Sequence, residues 1–259
     1  MMIHPTAIID PKARIDESVH VGAYAIIESG AIIDSGCKIG AHSQICGSVD
    51  IGKGTIIGRS SIIGSEPQDT SFDHSCKSGV RIGEKNNIRE LTTIHRSTQN
   101  GGWTHLGDEN FLMTGSHVGH DVKMGDRNII ANNCLLGGHV TIGSGSFLGG
   151  GAVFHQFVHL GDLCLAQGNS TITKDIPPYC TASQKNRLIG LNTVGLRRAE
   201  IDPATRAEIK RLYRAVFFSK IPFSEALDAI NDEKLHKEAS GFLEALKNPS
   251  RKGLCFPKV

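Results

Sequence analysis

The chain is poor in aromatic residues, has no long apolar run and carries almost no excess charge. Only 14 of its 259 residues are Phe, Tyr or Trp, and 28 Lys and Arg stand against 26 Asp and Glu. The balanced charge gives no electrostatic footprint for nucleic acid. No apolar stretch approaches the roughly 18 residues that a membrane span needs, and the N-terminus lacks the basic and apolar regions of an export signal.

The cysteines do not form a metal-binding or disulfide pattern. There are seven of them, and no two are spaced as Cys-x-x-Cys. An odd number without conserved-looking pairs is typical of reduced thiols rather than of a disulfide framework. We therefore expect a cytoplasmic protein.

Glycine is the residue in excess, and a six-residue repeat accounts for it. Thirty glycines make about 12 % of the chain, where about 7 % is usual. Stepping by six from Ile3 to Ile63, and again from Ile82 to Ile172, gives 27 positions, of which 26 are apolar; Asn100 is the exception. We refer to these as core positions. The residue after a core position is often Gly or Asp, and the fourth residue after it is small.

A short strand and a turn in every six residues, with three such sides in each 18-residue coil, predict a parallel β-helix. The number of repeats predicts about nine coils. The small residues four positions after the core positions suit the narrow interior of such a coil. The inserted loop 65–81 interrupts the repeat between its two runs.

After Ile172 the repeat stops and the pattern becomes helical. Asp202-Pro203 reads as the start of a helix whose apolar residues recur at helical spacing. Two further helices are expected, from Ser224 and over His236 to Lys247. We predict a mainly β chain with a β-helix domain over residues 1–191 and a small all-α domain over residues 192–259.

Histidines cluster where the repeat should bring them together. If the core positions at 82, 100, 118, 136, 154 and 172 stack on one face, then His120, His139 and His155 form a column, and His117 lies at the corner that enters it. The inserted loop should lie beside this column, because it leads into the first of those positions. We expect a functional site there.

Two kinds of chemistry suit stacked histidines. One is a metal site, as in the hexapeptide-repeat carbonic anhydrases, although the spacing His117-x-x-His120 differs from theirs. The other is a general base that takes a proton from an attacking alcohol and returns it to a leaving thiol. The second needs one histidine and no metal.

Seven ordered motifs make the resemblance to one family specific. They are Pro67-Gln68-Asp69, Ile88-Arg89-Glu90, Thr93-Ile94-His95-Arg96, His117-Val118-Gly119-His120-Asp121, Gly137-Gly138-His139-Val140, His155-Gln156-Phe157 and Asp175-Ile176-Pro177-Pro178-Tyr179. Together with the helical tail they resemble the acyl-[acyl-carrier-protein]:UDP-N-acetylglucosamine O-acyltransferases of lipid A synthesis, within the hexapeptide-repeat acyltransferase superfamily. The resemblance covers nearly the whole chain and implies that the β-helix is left-handed.

The resemblance implies transfer of a 3-hydroxyacyl chain from acyl carrier protein to the 3-hydroxyl of UDP-N-acetylglucosamine, in a homotrimer with sites between subunits. It implies no cofactor and no metal. His120 would be the general base, the Gly138 N–H would stabilise the oxyanion, and Asp121 would orient His120 or pair structurally with His139.

Further positions match residues that bind substrate in the family. Those matched to the sugar, the phosphates or the acyl group are Asp69, His95, His117, His139, His155 and Gln156. Gly168 falls where the family measures acyl length, and its lack of a side chain implies room for a longer chain. Asn192 and Arg198 match nucleotide-binding positions.

Two departures from the family pattern concern acceptor recognition. Where many members place a lysine two residues after the aspartate, this chain has Ser71, with Lys77 as a possible substitute. Where a glutamate is expected, it has Val194. The acceptor could therefore be an amino variant of the sugar, and an acyl- or acetyltransferase acting on another UDP-amino sugar is the alternative within the same class.

The helical tail offers a basic cluster to an acidic partner such as acyl carrier protein. Its members are Arg197, Arg198, Arg206, Lys210, Arg211 and Arg214. A charge cluster of this kind is as often a solvated face as a docking site.

Overall fold

A computed structural model describes residues 2–230 and 234–257, and it shows a left-handed parallel β-helix followed by helices. Most strands are only two residues long, because each side of the prism must turn again after six residues. They form three sheets, which we call A, B and C. Each strand pairs in parallel with the strand one coil before and one coil after it.

The strands of the β-helix follow the order A, B, C along the chain. Sheet A contains Met2–Ile3, His20–Val21, Lys38–Ile39, Ile56–Ile57, Asn87–Ile88, Phe111–Leu112, Ile129–Ile130, Phe147–Leu148 and Leu165–Ala166, and is extended by Cys180–Ser183, Arg187–Leu191 and Phe256–Pro257. Sheet B contains Ile8–Ile9, Ile26–Ile27, Gln44–Ile45, Ile62–Ser65, Thr93–His95, His117–Val118, Leu135–Leu136, Val153–Phe154 and Thr171–Ile172. Sheet C contains Arg14–Ile15, Ile32–Ile33, Val49–Ile51, Gly79–Ile82, Trp103–Leu106, Lys123–Met124, Thr141–Ile142 and His159–Leu160.

The core positions fill the inside of the prism, as the repeat predicts. From Val21 to Ile172, every apolar core position is buried, and so are the small residues four positions later, such as Ala25, Cys37 and Thr55. The glycines after core positions allow the coils to touch. A Cβ on Gly58, for example, would lie 2.4 Å from the backbone nitrogen of Glu90 in the next coil. The glycine excess therefore follows from coil stacking.

The predicted stacking of positions 82 and 100 with 118 is wrong. The coil partner that precedes Val118 in sheet B is Ile94, whereas Ile82 belongs to sheet C and Asn100 lies outside the strands. Paired core residues of neighbouring coils are usually 18 residues apart in sequence, but they are 31 apart across the first insertion and 24 apart across a second one. The second insertion adds six residues, which is one full repeat. Core positions therefore still recur every six residues across it, and the sequence pattern does not reveal the insertion.

Both insertions project from the corner between sheets B and C. The first leaves the strand Ile62–Ser65 of sheet B and re-enters at Gly79–Ile82 of sheet C, so the ends of the predicted loop 65–81 are strand residues. The second connects Thr93–His95 with Trp103–Leu106 across the same corner, one coil later. We call residues 66–78 the first inserted loop and residues 96–102 the second.

The C-terminal part is helical, as predicted. After the antiparallel pair Cys180–Ser183 and Arg187–Leu191, the described residues form four helices: α1 (Thr193–Arg198), α2 (Pro203–Phe217), α3 (Phe223–Asp228) and α4 (Lys237–Lys247). Asp202 caps α2 by accepting hydrogen bonds from the backbone of Ala204 and Thr205. The division of the chain into domains at residues 191 and 192 stays a prediction. None of the helices in the described ranges is long and apolar enough to cross a bilayer.

Candidate functional site

Four histidine rings lie together at the corner where sheet B turns into sheet C. They come from successive coils: His95 follows Ile94, His117 precedes Val118, His120 follows it, and His139 follows Leu136. The ring centroids of His95 and His117 are 5.1 Å apart, and so are those of His120 and His139. We call this group the histidine corner.

His120 and Asp121 form a hydrogen-bonded pair. His120 is only 7 % exposed, and its Nδ1 lies 2.9 Å from Oδ2 of Asp121. Because a carboxylate only accepts, Nδ1 donates in this contact, so in the neutral ring Nε2 is the nitrogen that can accept a proton. The pair has the geometry of a general base with an orienting carboxylate.

The second inserted loop holds the Asp121 carboxylate in place. The Thr98 backbone N–H and hydroxyl donate to Oδ2 at 3.1 and 2.7 Å, and the Ser97 hydroxyl donates to Oδ1. Burial favours the protonated acid, but the hydrogen bonds from His120, Ser97 and Thr98 outweigh it and hold the pKa of Asp121 well below its usual value. The carboxylate is therefore ionised and can stabilise a protonated His120. Sequence reasoning missed Ser97 and Thr98; the polar Asn100 at a core position is the signal that marks their loop.

Gly138 lies against the free edge of the His120 ring. A Cβ on Gly138 would be 2.4 Å from Nε2 of His120, so only glycine lets the ring occupy this place. In the coil ladder, Gly137 donates to the Phe154 carbonyl and His139 to the His120 carbonyl. The N–H of Gly138 makes no hydrogen bond to any residue of the described ranges. The free edge of the His120 ring therefore packs against a residue whose N–H remains available.

His139 lies next to the pair, but His155 does not extend the column as predicted. Nε2 of His139 is 3.6 Å from Oδ2 of Asp121, and Phe157 stacks on the His139 ring at 4.5 Å with an interplanar angle of 6°. Phe157 is the residue 18 positions after His139, so it occupies the same place in the next coil. The exposed His155 instead contacts Lys252, at 3.1 Å.

The His95 ring is buried and the His117 ring half-buried, and both are neutral at pH 7. Nδ1 of His95 hydrogen-bonds the backbone carbonyl of Glu66, and Nδ1 of His117 lies 2.8 Å from the Thr93 hydroxyl. Burial lowers the pKa of both rings, that of His117 to about 4, and the neighbouring histidines add to the shift of His117. They can act as neutral hydrogen-bonding groups toward a polar ligand.

The first inserted loop lies beside the histidine corner, although not for the predicted reason. It crosses the corner one coil before His95. The Arg96 guanidinium holds the loop in place by donating hydrogen bonds to the Cys76 carbonyl at 2.6 Å and to the Glu66 carboxylate at 3.1 Å. Asp69 on this loop accepts hydrogen bonds from the backbone and hydroxyl of Ser71, which lower its pKa; His120 is near enough to add to that effect. Ser71 thus orients Asp69, whereas Lys77 lies further along the loop.

The other predicted substrate-binding residues lie at different distances from the corner. Gln156 is an exposed neighbour of His155. Gly168 follows Ala166 and lies at the corner between sheets A and B, across sheet B from the histidines. The side chain of Asn192 caps α1 and donates to the Leu163 carbonyl at 2.8 Å, and Arg198 is exposed at the end of α1. Their roles toward a ligand stay predictions.

His120, Asp121 and His139 are also the one group of residues in the described ranges with the composition of a metal site. One ligand atom from each lies within 4.8 Å of the others. In this arrangement Nδ1 of His120 is already hydrogen-bonded to the carboxylate, and one oxygen serves both histidines. Metal binding would require these contacts to be replaced.

Comparison with known proteins points to one family. The family model described as "Udp N-acetylglucosamine O-acyltransferase; Domain 2" matches residues 175–255, and "Bacterial transferase hexapeptide (six repeats)" matches residues 104–138. A protein of Campylobacter concisus named acyl-[acyl-carrier-protein]--UDP-N-acetylglucosamine O-acyltransferase is 37 % identical over 73 % of this chain and 75 % of its own length. Relatives of the same name from Gloeothece citriformis and Synechocystis are 38 % and 36 % identical, over 64 % and 69 % of this chain, and the alignments span only 60 % and 65 % of their lengths.

Solved structures agree over almost the full chain. The UDP-N-acetylglucosamine acyltransferase from Campylobacter jejuni superposes with a TM-score of 0.93 at 31 % identity, covering 99 % of this chain and 100 % of that one. The enzyme of the same name from Francisella novicida gives a TM-score of 0.93 at 30 % identity, over 98 % of this chain and 93 % of that one. The similarity includes the helical tail as well as the β-helix.

The half-buried, neutral His117 predicts a pH-dependent stability. Its pKa rises from about 4 in the folded chain to an ordinary 6.5 on unfolding, so the unfolded state binds more protons between these values. We expect the free energy of unfolding to fall as the pH drops from 6.5 toward 4, and to fall less in His117→Gln. Urea unfolding at several pH values measures this. His105→Gln, an exposed change on sheet C, is the control, and equal slopes in His117→Gln and the wild type would contradict the expectation.

Proposed function

Because the chain belongs to the family of acyl-[acyl-carrier-protein]–UDP-N-acetylglucosamine O-acyltransferases, we propose that it performs their reaction. It transfers a 3-hydroxyacyl chain from acyl carrier protein to the 3-hydroxyl of UDP-N-acetylglucosamine, the first step of lipid A biosynthesis. The observation that carries the proposal is the His120 ring, bonded through Nδ1 to Asp121, packed against Gly138, whose N–H has no partner within the described residues.

The proposed chemistry needs only these groups. Nε2 of His120 takes the proton of the sugar hydroxyl. At the same time the hydroxyl oxygen attacks the thioester carbonyl carbon and forms the new C–O bond. The N–H of Gly138 stabilises the negative charge on the carbonyl oxygen, and Asp121 stabilises the protonated imidazole. When the C–S bond breaks, His120 returns its proton to the thiolate of the carrier, so atoms and charges balance without a cofactor.

Neutral hydrogen-bonding groups around the base suit the acceptor sugar. We assign the acceptor to Asp69, His95, His117 and His139 at the histidine corner, with His155 and Gln156 beside it. We assign the nucleotide to Asn192 and Arg198. The exposed Val194 replaces the expected glutamate, and Ser71 is occupied with Asp69, so the amino variant of the sugar is the acceptor to test beside N-acetylglucosamine.

The acyl chain has an apolar path across sheet B. Leu135 and Val153 point outward between the histidine corner and Gly168, and Leu135 is 42 % exposed. At Gly168 an added Cβ would come within 3.1 Å of the Gly150 carbonyl oxygen. A chain lying on this face would therefore end near Gly168, where a side chain would be crowded against the neighbouring coil.

We further propose a homotrimer, supported by the outward residues of the three prism faces. Sheet A presents Ile56, Phe111, Ile129, Phe147 and Leu165, and sheet B presents Ile8, Ile26, Ile62, Leu135 and Val153. Apart from Ile32, sheet C presents polar and charged residues, among them Arg14, Asp50, Arg81, His105 and Lys123. Two apolar faces at one corner suit a threefold assembly in which sheet A of one copy covers sheet B of the next.

The carrier protein would dock on the helical tail. Arg206, Lys210 and Arg214 follow one another at four-residue spacing along α2, and Lys210 and Arg214 line an open cleft of about 610 Å³ with the apolar Tyr213 and Phe218. An acidic carrier is attracted to such a face. The seven free cysteines support a reducing, cytoplasmic location.

A metal-dependent site of the carbonic anhydrase type is the second candidate, because His120, Asp121 and His139 converge. The two candidates differ in what they require. The acyltransferase keeps its activity after dialysis against a chelator, whereas the metallo-enzyme loses it.

Replacing the base tests the proposed reaction. With 3-hydroxyacyl-carrier protein and UDP-N-acetylglucosamine as substrates, His120→Ala should lower kcat by about 100-fold or more, because the general base is lost. The exposed His105→Ala is the matched control and should keep wild-type kcat. Product formation is followed by mass spectrometry, before and after dialysis against a chelator. A His120→Ala variant with wild-type kcat would overturn the mechanism, and transfer to the amino variant alone would correct the acceptor.

Removing the hydroxyls that hold Asp121 tests the second inserted loop. In the double variant Ser97→Ala, Thr98→Val, we expect kcat to fall about tenfold with KM little changed, because bonds to a charged group are lost while substrate contacts remain. Ser97→Thr, Thr98→Ser keeps the hydroxyls and should restore most of kcat. Ser75→Ala, which removes a hydroxyl bonded to the exposed Asp73, is the control. An unchanged kcat in the double variant would refute the positioning role.

A charge on either apolar face tests the assembly. Phe147→Lys on sheet A or Leu135→Lys on sheet B should shift the molecular mass by sedimentation from that of a trimer toward that of one chain, because a buried unpaired ammonium is costly. His159→Lys on sheet C should leave the mass unchanged. A wild-type chain that sediments as a monomer would disprove the trimer.

A further inference from the structure

The end of the chain folds back onto the β-helix next to the histidine corner. The buried Asp175, the first residue of the Asp-Ile-Pro-Pro-Tyr motif, fixes it there. Its Oδ2 accepts from the Ser250 backbone N–H at 2.7 Å, and its Oδ1 from the Ser250 hydroxyl at 2.8 Å. Its own N–H donates to the Gly253 carbonyl, and its carbonyl accepts from Cys255, both at 2.8 Å. The two residues between these anchors, Arg251 and Lys252, are thus held in a defined place.

Both cations reach toward the predicted site. The guanidinium carbon of Arg251 is 4.0 Å from the centroid of the Phe157 ring, the ring that stacks on His139. The Lys252 ammonium is 3.1 Å from Nδ1 of His155. The segment therefore adds two positive charges to the side of the histidine corner where His155 and Gln156 lie.

These charges have no acidic partner within residues 2–230 and 234–257. The neighbouring Asp175 makes no ion pair with either cation, and both of its carboxylate oxygens accept hydrogen bonds from Ser250, with a further one from the His159 backbone N–H. The contact of Lys252 with His155 is between two bases. It therefore does not neutralise the ammonium.

The contact of Lys252 with His155 is also easily exchanged. Nδ1 of His155 lies 3.2 Å from the Gln156 carbonyl oxygen as well. Since an ammonium only donates and a carbonyl only accepts, Nδ1 can either accept from Lys252 or donate to Gln156, but not both. When Lys252 turns to another ligand, His155 keeps a hydrogen-bond partner, so the ammonium can be released without leaving a ring nitrogen unpaired.

We infer that Arg251 and Lys252, together with His155, form an anion subsite that binds a phosphate group of a substrate. Lys and Arg beside each other without a carboxylate are the usual protein partners of phosphate oxygens. The inference rests on the proposed function, which supplies two phosphate-bearing molecules: the diphosphate of the nucleotide sugar and the phosphate of the pantetheine arm of the carrier.

Binding measurements test the subsite without requiring acyl transfer. In Lys252→Met, which keeps the aliphatic stem and loses the charge, we expect the Kd of a phosphate-bearing probe to rise about tenfold or more by calorimetry. The probes are UDP with uridine as its phosphate-free control, and 4′-phosphopantetheine with pantetheine as its control. Lys252→Arg should keep affinity near that of the wild type, and the exposed Lys53→Met is the matched control.

Each result has a defined meaning. Weaker binding of UDP alone assigns the subsite to the acceptor diphosphate, and weaker binding of 4′-phosphopantetheine alone assigns it to the donor. If neither probe loses affinity, or if uridine and pantetheine lose as much as their phosphorylated forms, the subsite is refuted. A protein that shows this phosphate dependence but no acyl transfer would refute the proposed reaction and keep the subsite.

Discussion

Parallel pairing between successive coils is the constraint on which the rest of the molecule depends. Each two-residue strand satisfies its backbone groups only with the strands one coil away, so every coil must place its core residue at the same point of the prism. Residues 18 positions apart in sequence then become neighbours in space. The glycine excess, the buried small residues and the stacked rings of His139 and Phe157 all follow from this one requirement.

The same constraint explains how a repetitive scaffold comes to hold a site. A coil can gain residues only at a corner, where the chain leaves one sheet before entering the next, and both insertions of this chain use the corner between sheets B and C. The second one brings Ser97 and Thr98 to the carboxylate of Asp121, one coil further along. The inserted residues therefore fix the carboxylate that, in the proposed mechanism, stabilises His120 when it accepts a proton.

The repeat made the strands, the core and the stacking of Asp121 with His139 predictable, because each depends on spacing alone. The pairing of His120 with Asp121 was instead expected from the family resemblance. It could not reveal the register before Val118, since an insertion of one full repeat leaves the spacing unchanged while moving Ile82 to another sheet. Lys252 and Arg251 were unpredictable for a different reason. They reach the site through hydrogen bonds between Asp175 and Ser250, residues 75 positions apart with no periodic relation.

The regular coils and the irregular segments contribute different parts of the proposed chemistry. The base and the free N–H come from neighbouring coils, where backbone pairing fixes the position of His120 relative to Gly138. Groups for a flexible, charged substrate come from loops and from the end of the chain, where Arg96 and Asp175 provide local anchors. The groups that recognise the substrate are thus separate from the coils that hold the reacting groups. Substitutions that change the specificity for sugar, nucleotide or acyl length can therefore leave the register of the coils unchanged.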